Sequence, residues 1–320
     1  MITVTPDYYK DFKCIAGDCP DSCCQGWEVD ADEKSLEYYK TLDGDIRKRI
    51  DSVLSADEFG NTIFTLADKK RCPFLNSENL CDMHIAIGGE HTPYTCRMFP
   101  RFINSFGATR EMGISFSCPV ASDMMFALKE RAELVSTADS ELPELNEIDG
   151  EVYYFLKKAR AKAFDIIYDR SMPVSKRAVK LLDYAAELQA ELEPYEEGSE
   201  EIEFFDVFKN PELINPEWEE KVLHGSLKPV PDDYYNESIM AYFVYRYFLT
   251  AVFDFDILSK VKMAVVGILI PACFGADSWT MHLWSKETEH SQYNMDRYKD
   301  LLKNAKCLNT EKLKEAVQLS

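Results

Sequence analysis

Apolar residues recur at intervals of three and four along most of the second half of the chain, the spacing of helices that bury one face. Ala178, Leu181, Ala185, Leu188 and Leu192 form one such stripe. Val152, Phe155, Leu156, Ala159 and Ala163 form another, on a helix expected to run to about Arg170. The segment from Tyr234 to Phe255 is dense in aromatic residues, with Tyr242, Phe243, Tyr245, Tyr247 and Phe248 close together. Met263 to Ala276 (MAVVGILIPACFGA) is the longest uncharged run. At fourteen residues with Pro271 inside, it is too short to cross a bilayer and predicts a buried helix, so no transmembrane segment is expected. A last helical region is expected over roughly Ser291 to Lys306.

The first half is patterned differently. Residues 1–13 read as a short polar lead carrying Tyr8, Tyr9 and Phe12. Asp30 to Leu54 predicts two helices, the first capped by Asp30 or Asp32, with Gly44 between them and Ile46, Ile50, Val53 and Leu54 on the second. Thr62 to Leu66 predicts a short strand, and CPFLNSENLC turns back through Asn76–Asn79 as a small knuckle. Arg101–Phe106 and Glu111–Ser117 flank Gly107 as a β-hairpin, and Asp123 to Val135 reads as helical. Residues 136–140 and Pro143 mark a boundary. The expected class is therefore mainly α. An N-terminal cysteine-rich module with small β-hairpins (1–140) packs on a C-terminal helical domain (141–320).

A length of 320 residues, 46% of them hydrophobic and 29% charged, leaves ample chain for a packed core. A formal charge of −20 and a pI near 4.7 argue against nucleic acid as a partner. Nine acids and no base lie between Glu187 and Asp206, with Pro194 and Gly198 inside, which reads as an exposed connector. The start, MITVTPDYYKDFKC, lacks the basic and apolar blocks of a secretory signal, so a cytoplasmic protein is expected.

Eight of the ten cysteines fall between Cys14 and Cys118. In a reducing compartment such a cluster points to metal binding or catalysis before disulfides. Cys14, Cys19, Cys23, Cys24, Cys72, Cys81, Cys96 and Cys118 are the candidate ligands. Their spacing, C-x4-C-x3-C-C then C-x8-C, C-x14-C and C-x21-C, contains no CxxC pair of the kind that marks most structural zinc sites. An iron–sulfur cluster tolerates wider spacing, so it is favoured and zinc is the alternative. The radical C-x3-C-x2-C signature fails, because Gly26 stands where its third cysteine would be.

The combination FKC-x4-C-x3-CC-x-GW, CPFL-x5-C, CR-x-FPR and SCP resembles the flagellin lysine-N-methylase family, which shares its cysteine core with zinc- or iron-chelating cysteine-cluster domains. Tyr245-Arg246-Tyr247-Phe248-Leu249 and SKETEHSQYN (285–294) look like landmarks of the same family. The resemblance implies methyl transfer from S-adenosylmethionine to surface lysines of flagellin, with a cysteine-bound 4Fe-4S cluster. No GxGxxG loop follows a strand, so a Rossmann methyltransferase domain is not expected.

A lysine amine must lose a proton before it attacks a sulfonium methyl, at a cost of about 4 kcal/mol near neutral pH in water. His290 and Glu289 are the general-base candidates, with an interhelical polar contact as the alternative role. His84 and His91 are either substitute ligands or surface histidines. Arg97 and Arg101 are candidates to grip a cofactor or substrate carboxylate or to damp the charge of a cluster, with surface ion pairing as the alternative. The aromatic stripe at Tyr242–Phe248 is either a sulfonium cage or core. Two rivals to the enzyme stand beside it: a binding module stapled by zinc or iron, and an iron–sulfur protein of electron transfer or redox sensing.

Overall fold

The computed structural model describes residues 1–27, 29–57, 60–67, 70–138 and 147–319. They group into two compact units, Lys13–Arg101 with Cys118–Val120, and Met1–Phe12 with Phe102–Ser117 and Ala121–Ser320. The second is mainly helical; the first holds the eight N-terminal cysteines.

In the helical unit the helix Ile257–Phe274 is the centre around which most of the other helices pack. All of its residues are buried, against the helices Tyr234–Tyr247, Val174–Leu192, Ser278–Glu289 and Thr310–Val317. It begins earlier than its uncharged run, because Asp256 caps it by accepting from the Ser259 amide at 3.0 Å. At 18 residues it is long and apolar enough to cross a membrane, yet it is buried along its whole length. Gly267 permits the close crossing, since a Cβ there would lie 2.9 Å from both Ile239 and Phe243. The stripes read from the sequence appear as Gly150–Ile167 and Val174–Leu192, and the last expected helix as Gln292–Asn304. The aromatic stripe is largely core, with Tyr242, Phe243, Tyr245 and Phe248 all buried.

A four-stranded sheet runs in the order Arg101–Phe106, Thr109–Ile114, Ile2–Pro6, Leu134–Ala138. Two expectations are corrected here. The polar lead is an inner strand of this sheet, parallel to Thr109–Ile114 (Ile2 opposite Thr109) and antiparallel to Leu134–Ala138 (Ile2 opposite Ala138). The helix expected to reach Val135 spans Pro119–Phe126 only; Leu134–Ala138 is an exposed strand, and ladder bonds to Ile2–Pro6 outweigh any local helical preference there. The boundary suggested near Pro143 falls in residues 139–146, outside the described residues.

The acidic segment after Leu192 is also less exposed than its charge suggests. Glu197 accepts from the Thr310 amide at 2.9 Å and is ion-paired with Lys262, which lies fully buried in the central helix and donates to the Leu302 carbonyl at 2.8 Å.

In the cysteine unit, Asp32 caps the helix Glu33–Tyr39 through the Ser35 amide at 3.1 Å, and Gly44–Val53 follows it. A three-stranded antiparallel sheet orders Val29–Asp30, Thr62–Phe64 and Leu54–Ala56. Val29, Tyr39, Ile50, Phe64, Phe74 and Met83 form a small core that includes Cys72.

Candidate functional site

Two places concentrate chemistry, one in each unit. In the cysteine unit none of the eight cysteines is joined in a disulfide. Cys72 and Cys24 are neighbours through the Cys72 amide on the Cys24 carbonyl at 2.8 Å, and the expected knuckle is closed by the Leu75–Cys81 bridge. Backbone amides aim at its two sulfurs, from Phe74 to Cys72 and from His84 to Cys81, the latter at 3.4 Å.

Burial, and then Cys24, Cys72 and Cys81, raise the Cys96 thiol, although the residue as a whole is exposed. Burial, and then Cys24 and Cys81, push Cys72 up to about 12. Cys24, Cys72, Cys81 and Cys96 thus sense one another. Cys14 and Cys23 lie near the same group, since Cys23 senses Cys24, Cys14 and Cys96.

Among the described residues, no three His, Cys, Asp or Glu side chains converge closely enough to hold a metal ion, so the eight sulfurs are not drawn to one centre. In donor type alone these four thiols match a thiolate-bound metal, but their arrangement does not bring three of them to one point. Several sulfurs close together and partly dehydrated favour ionisation only when a cation joins them, and amide donors on sulfur stabilise the thiolate form.

The arginines behind Cys96 are placed differently from one another. Arg97 donates to the Thr92 carbonyl and, at 3.3 Å, to that of Glu90. Arg101 opens the Arg101–Phe106 strand. His84 is exposed, while His91 stacks on Tyr38 at 3.8 Å between ring centroids.

The second place lies in the helical unit, at the C-terminal end of the helix Ser278–Glu289. The Glu289 side chain is only 1% exposed. It accepts from Tyr242 at 2.9 Å, from Arg246 at 3.0 Å, from Ser115 at 3.3 Å, and from Tyr247 and Ser285. Helical spacing explains the convergence: Ser285 and Glu289 share one face of their helix, as Tyr242 and Arg246 share one of theirs. Arg246 also donates to Ser115 at 3.1 Å and lies 4.6 Å from the Phe102 ring centroid. Burial works against its charge, but Glu289 and the tyrosines outweigh that and hold it protonated. Burial keeps Tyr242 and Tyr247 as neutral phenols.

His290 sits next door, with Nε2 2.5 Å from Ser117 Oγ. Burial, then Arg246, Lys286 and His282, push its pKa down to about 3, so the imidazole is neutral at ordinary pH.

The sequence therefore located Glu289 and His290 but not their partners Ser115 and Ser117. Both serines lie in the turn that follows the Thr109–Ile114 strand, where the Ser117 hydroxyl donates to Ser115 Oγ at 2.8 Å, a local contact that no motif in the sequence marks.

A small, partly open cavity of about 30 Å³ lies beside this network in the same unit, and Tyr242 belongs to both. Its wall also carries Tyr8, Met125, Phe164, Tyr168 and Tyr245.

These features define a mainly helical protein that pairs a thiol-rich unit with a buried carboxylate–tyrosine–arginine network. Over 124 residues, 37% of the chain, it is 27% identical to the flagellar biosynthetic protein FliU of Salmonella muenchen, 73% of which is covered. At the same identity and extent it matches proteins named lysine-N-methylase from Salmonella typhimurium and Salmonella choleraesuis. The match spans only 31% of the length of these two. These likenesses support a relationship to the flagellin lysine-N-methylase family. No family model and no solved structure matches the chain.

Proposed function

We propose that the protein is an S-adenosylmethionine-dependent protein-lysine N-methyltransferase that acts on flagellin, and that its cysteine unit binds an iron–sulfur cluster, with zinc as the alternative metal. The observation that carries the reading is the buried Glu289 network beside a small cavity, in a chain related to proteins named for lysine methylation.

The reaction moves a methyl group from a sulfonium to a neutral amine, and the proton from the lysine ammonium leaves to solvent. Glu289 has its oxygens engaged by five donors, which commits it to the network and not to an incoming amine. His290 is neutral but, with a pKa near 3, too weak a base to hold a lysine proton. Both act better as positioning residues. Glu289 fixes the phenols of Tyr242 and Tyr247 and neutralises Arg246, and His290 orders Ser117 without adding charge. Desolvation of the incoming lysine would itself lower the pKa of its amine.

Cys24, Cys72, Cys81 and Cys96 are the residues that would hold the metal, with Cys14 and Cys23 in reserve. A cluster there would supply a crosslink between loops and one-electron chemistry, and the transfer outlined above does not depend on it.

The test is incubation of anaerobically purified protein with flagellin and S-adenosylmethionine, followed by mass spectrometry of flagellin peptides. Methylated lysines are expected with the wild-type protein, and a large loss of kcat with little change in KM for Glu289→Gln. Flagellin that stays unmethylated while the protein carries its metal would falsify the enzyme reading and leave the metal-stapled binding module.

A further inference from the structure

We propose that the strand Leu134–Ala138, at the edge of the four-stranded sheet, is a docking strand that takes an extended, lysine-bearing segment of the protein substrate as a fifth strand. The proposal rests on the methyl-transfer reading above and names how the substrate is held.

Among the described residues this strand pairs with Ile2–Pro6 alone, and all five of its residues are exposed. The phase of the ladder decides which of its backbone groups are free. In an antiparallel pair, every second pair of opposed residues exchanges hydrogen bonds. Asp7 and Glu133 continue the register of the two strands, and the Asp7 amide donates to the Glu133 carbonyl at 2.8 Å. The bonded pairs within the strands are therefore Thr5 with Val135 and Thr3 with Thr137. Ile2 agrees with this phase, since its amide turns the other way, to the Ala108 carbonyl at 2.9 Å. Leu134, Ser136 and Ala138 then point their amides and carbonyls outward. Such a row templates another strand, and the sequence LVSTA has none of the charges or prolines that usually blunt an edge.

Charge says what that strand should carry. Asp7 and Glu133 lie at one end of the edge. At the other end Ala138 stands opposite Ile2, which is bonded to Ala108 beside Gly107. Ile148 lies 3.8 Å from the place of a Cβ on Gly107, so Glu147 and Asp149 belong to that end. Glu133, Glu147 and Asp149 are exposed. From Glu133 to Glu151 the sequence holds seven acids and no base, and Arg131 just before it is paired with Asp165 at 2.8 Å. A second copy of the chain pairing through the same edge would set these acids against their own counterparts, which like charge opposes. A strand bearing lysines meets the opposite charge at both ends.

The edge is also continuous with the candidate site. Leu134 lines the small cavity beside the Glu289 network, as does Tyr242, which donates to Glu289 at 2.9 Å. Strand addition draws its affinity from main-chain hydrogen bonds. One docking strand can therefore present lysines from different sequence contexts, as modification of several surface lysines requires.

Amide-resolved hydrogen exchange on the full, metal-loaded chain, with and without monomeric flagellin, tests this. In the free protein the Leu134 and Ser136 amides should exchange faster than those of Val135 and Thr137, and excess flagellin should slow them by about ten-fold or more. Ser136→Pro deletes an outward donor and leaves the ladder to Ile2–Pro6 in place. It should weaken flagellin binding about ten-fold, whereas Ser136→Ala should bind as the wild type does. Should Ser136→Pro unfold, Ala138→Pro makes the same test at the next outward amide. Flagellin with acetylated lysines should bind more weakly than untreated flagellin. Unchanged exchange in excess flagellin overturns the proposal, as does a folded proline variant of wild-type affinity or equally tight binding of acetylated flagellin. Slowing that grows with protein concentration in the absence of flagellin assigns the edge to a second copy and overturns it too. Slowing by flagellin that stays unmethylated would uphold the docking strand and remove the enzyme reading; methylation without slowing would do the reverse.

Discussion

Glu289 and His290 are adjacent in sequence and opposite in electrostatic design. The carboxylate gathers every nearby donor, whereas the imidazole is kept from charging by burial and by Arg246, Lys286 and His282. That difference makes the protein sensitive to acid in a definite direction. An unfolded histidine titrates near 6.5, and His290 in the fold near 3. Between those values the unfolded chain binds a proton that the folded chain does not, so His290 reduces stability as pH falls from about 6.5 toward 3. The slope is at most about 1.4 kcal/mol per pH unit. His290→Gln keeps a polar group for Ser117 and removes the titration. Urea midpoints at about pH 7 and about pH 5 should fall more for the wild-type protein than for the variant. Equal falls would show that His290 does not carry this sensitivity. The pairing of these residues with Ser115 and Ser117 across some 170 positions was not legible in the sequence, since neither serine stands out until the Thr109–Ile114 strand sets its direction.

Among the elements, those with a local cause were legible. Helices with regular apolar stripes, the Asp32 cap and the Cys72–Cys81 knuckle are all dictated by nearby residues. The strand Ile2–Pro6 was not, because its partners Thr109 and Ala138 are far along the chain. The acidic segment misled for the same reason. Its charge suggested solvent, but Glu197 is committed to Lys262, a cation on the most buried helix of the unit, where burial lowers the lysine pKa. Glu197→Gln keeps an acceptor for the Thr310 amide and leaves Lys262 without its counter-charge. It is expected to cost about 3 kcal/mol in chemical denaturation. The double variant with Lys262→Met removes both charges and should recover most of the loss. If the double variant is as weak as Glu197→Gln alone, the stranded charge is not the cause.

For the molecule as a whole, the division into two units decides how metal and stability are linked. The cysteine unit has strands of two or three residues and a small core that includes Cys72 among its eight buried members. A core of that size gains much from a crosslink, and metal bound only in the folded state adds its binding energy to folding. The helical unit has its own extensive core and two thiols of its own, Cys273 and Cys307, far in sequence from the others. Chelation should therefore lower the unfolding temperature of one transition, that of the cysteine unit, and leave the helical transition where it is. Single Cys→Ser changes at Cys24, Cys72, Cys81 and Cys96 should each reduce metal per chain, whereas Cys273→Ser and Cys307→Ser should not. The colour of the protein separates the two metals: brown protein with acid-labile sulfide supports iron–sulfur, and colourless protein with bound zinc supports a staple. Metal content that survives all four changes would place the site elsewhere. Two transitions that move together on chelation would show that the thiol unit does not carry the metal-linked stability by itself.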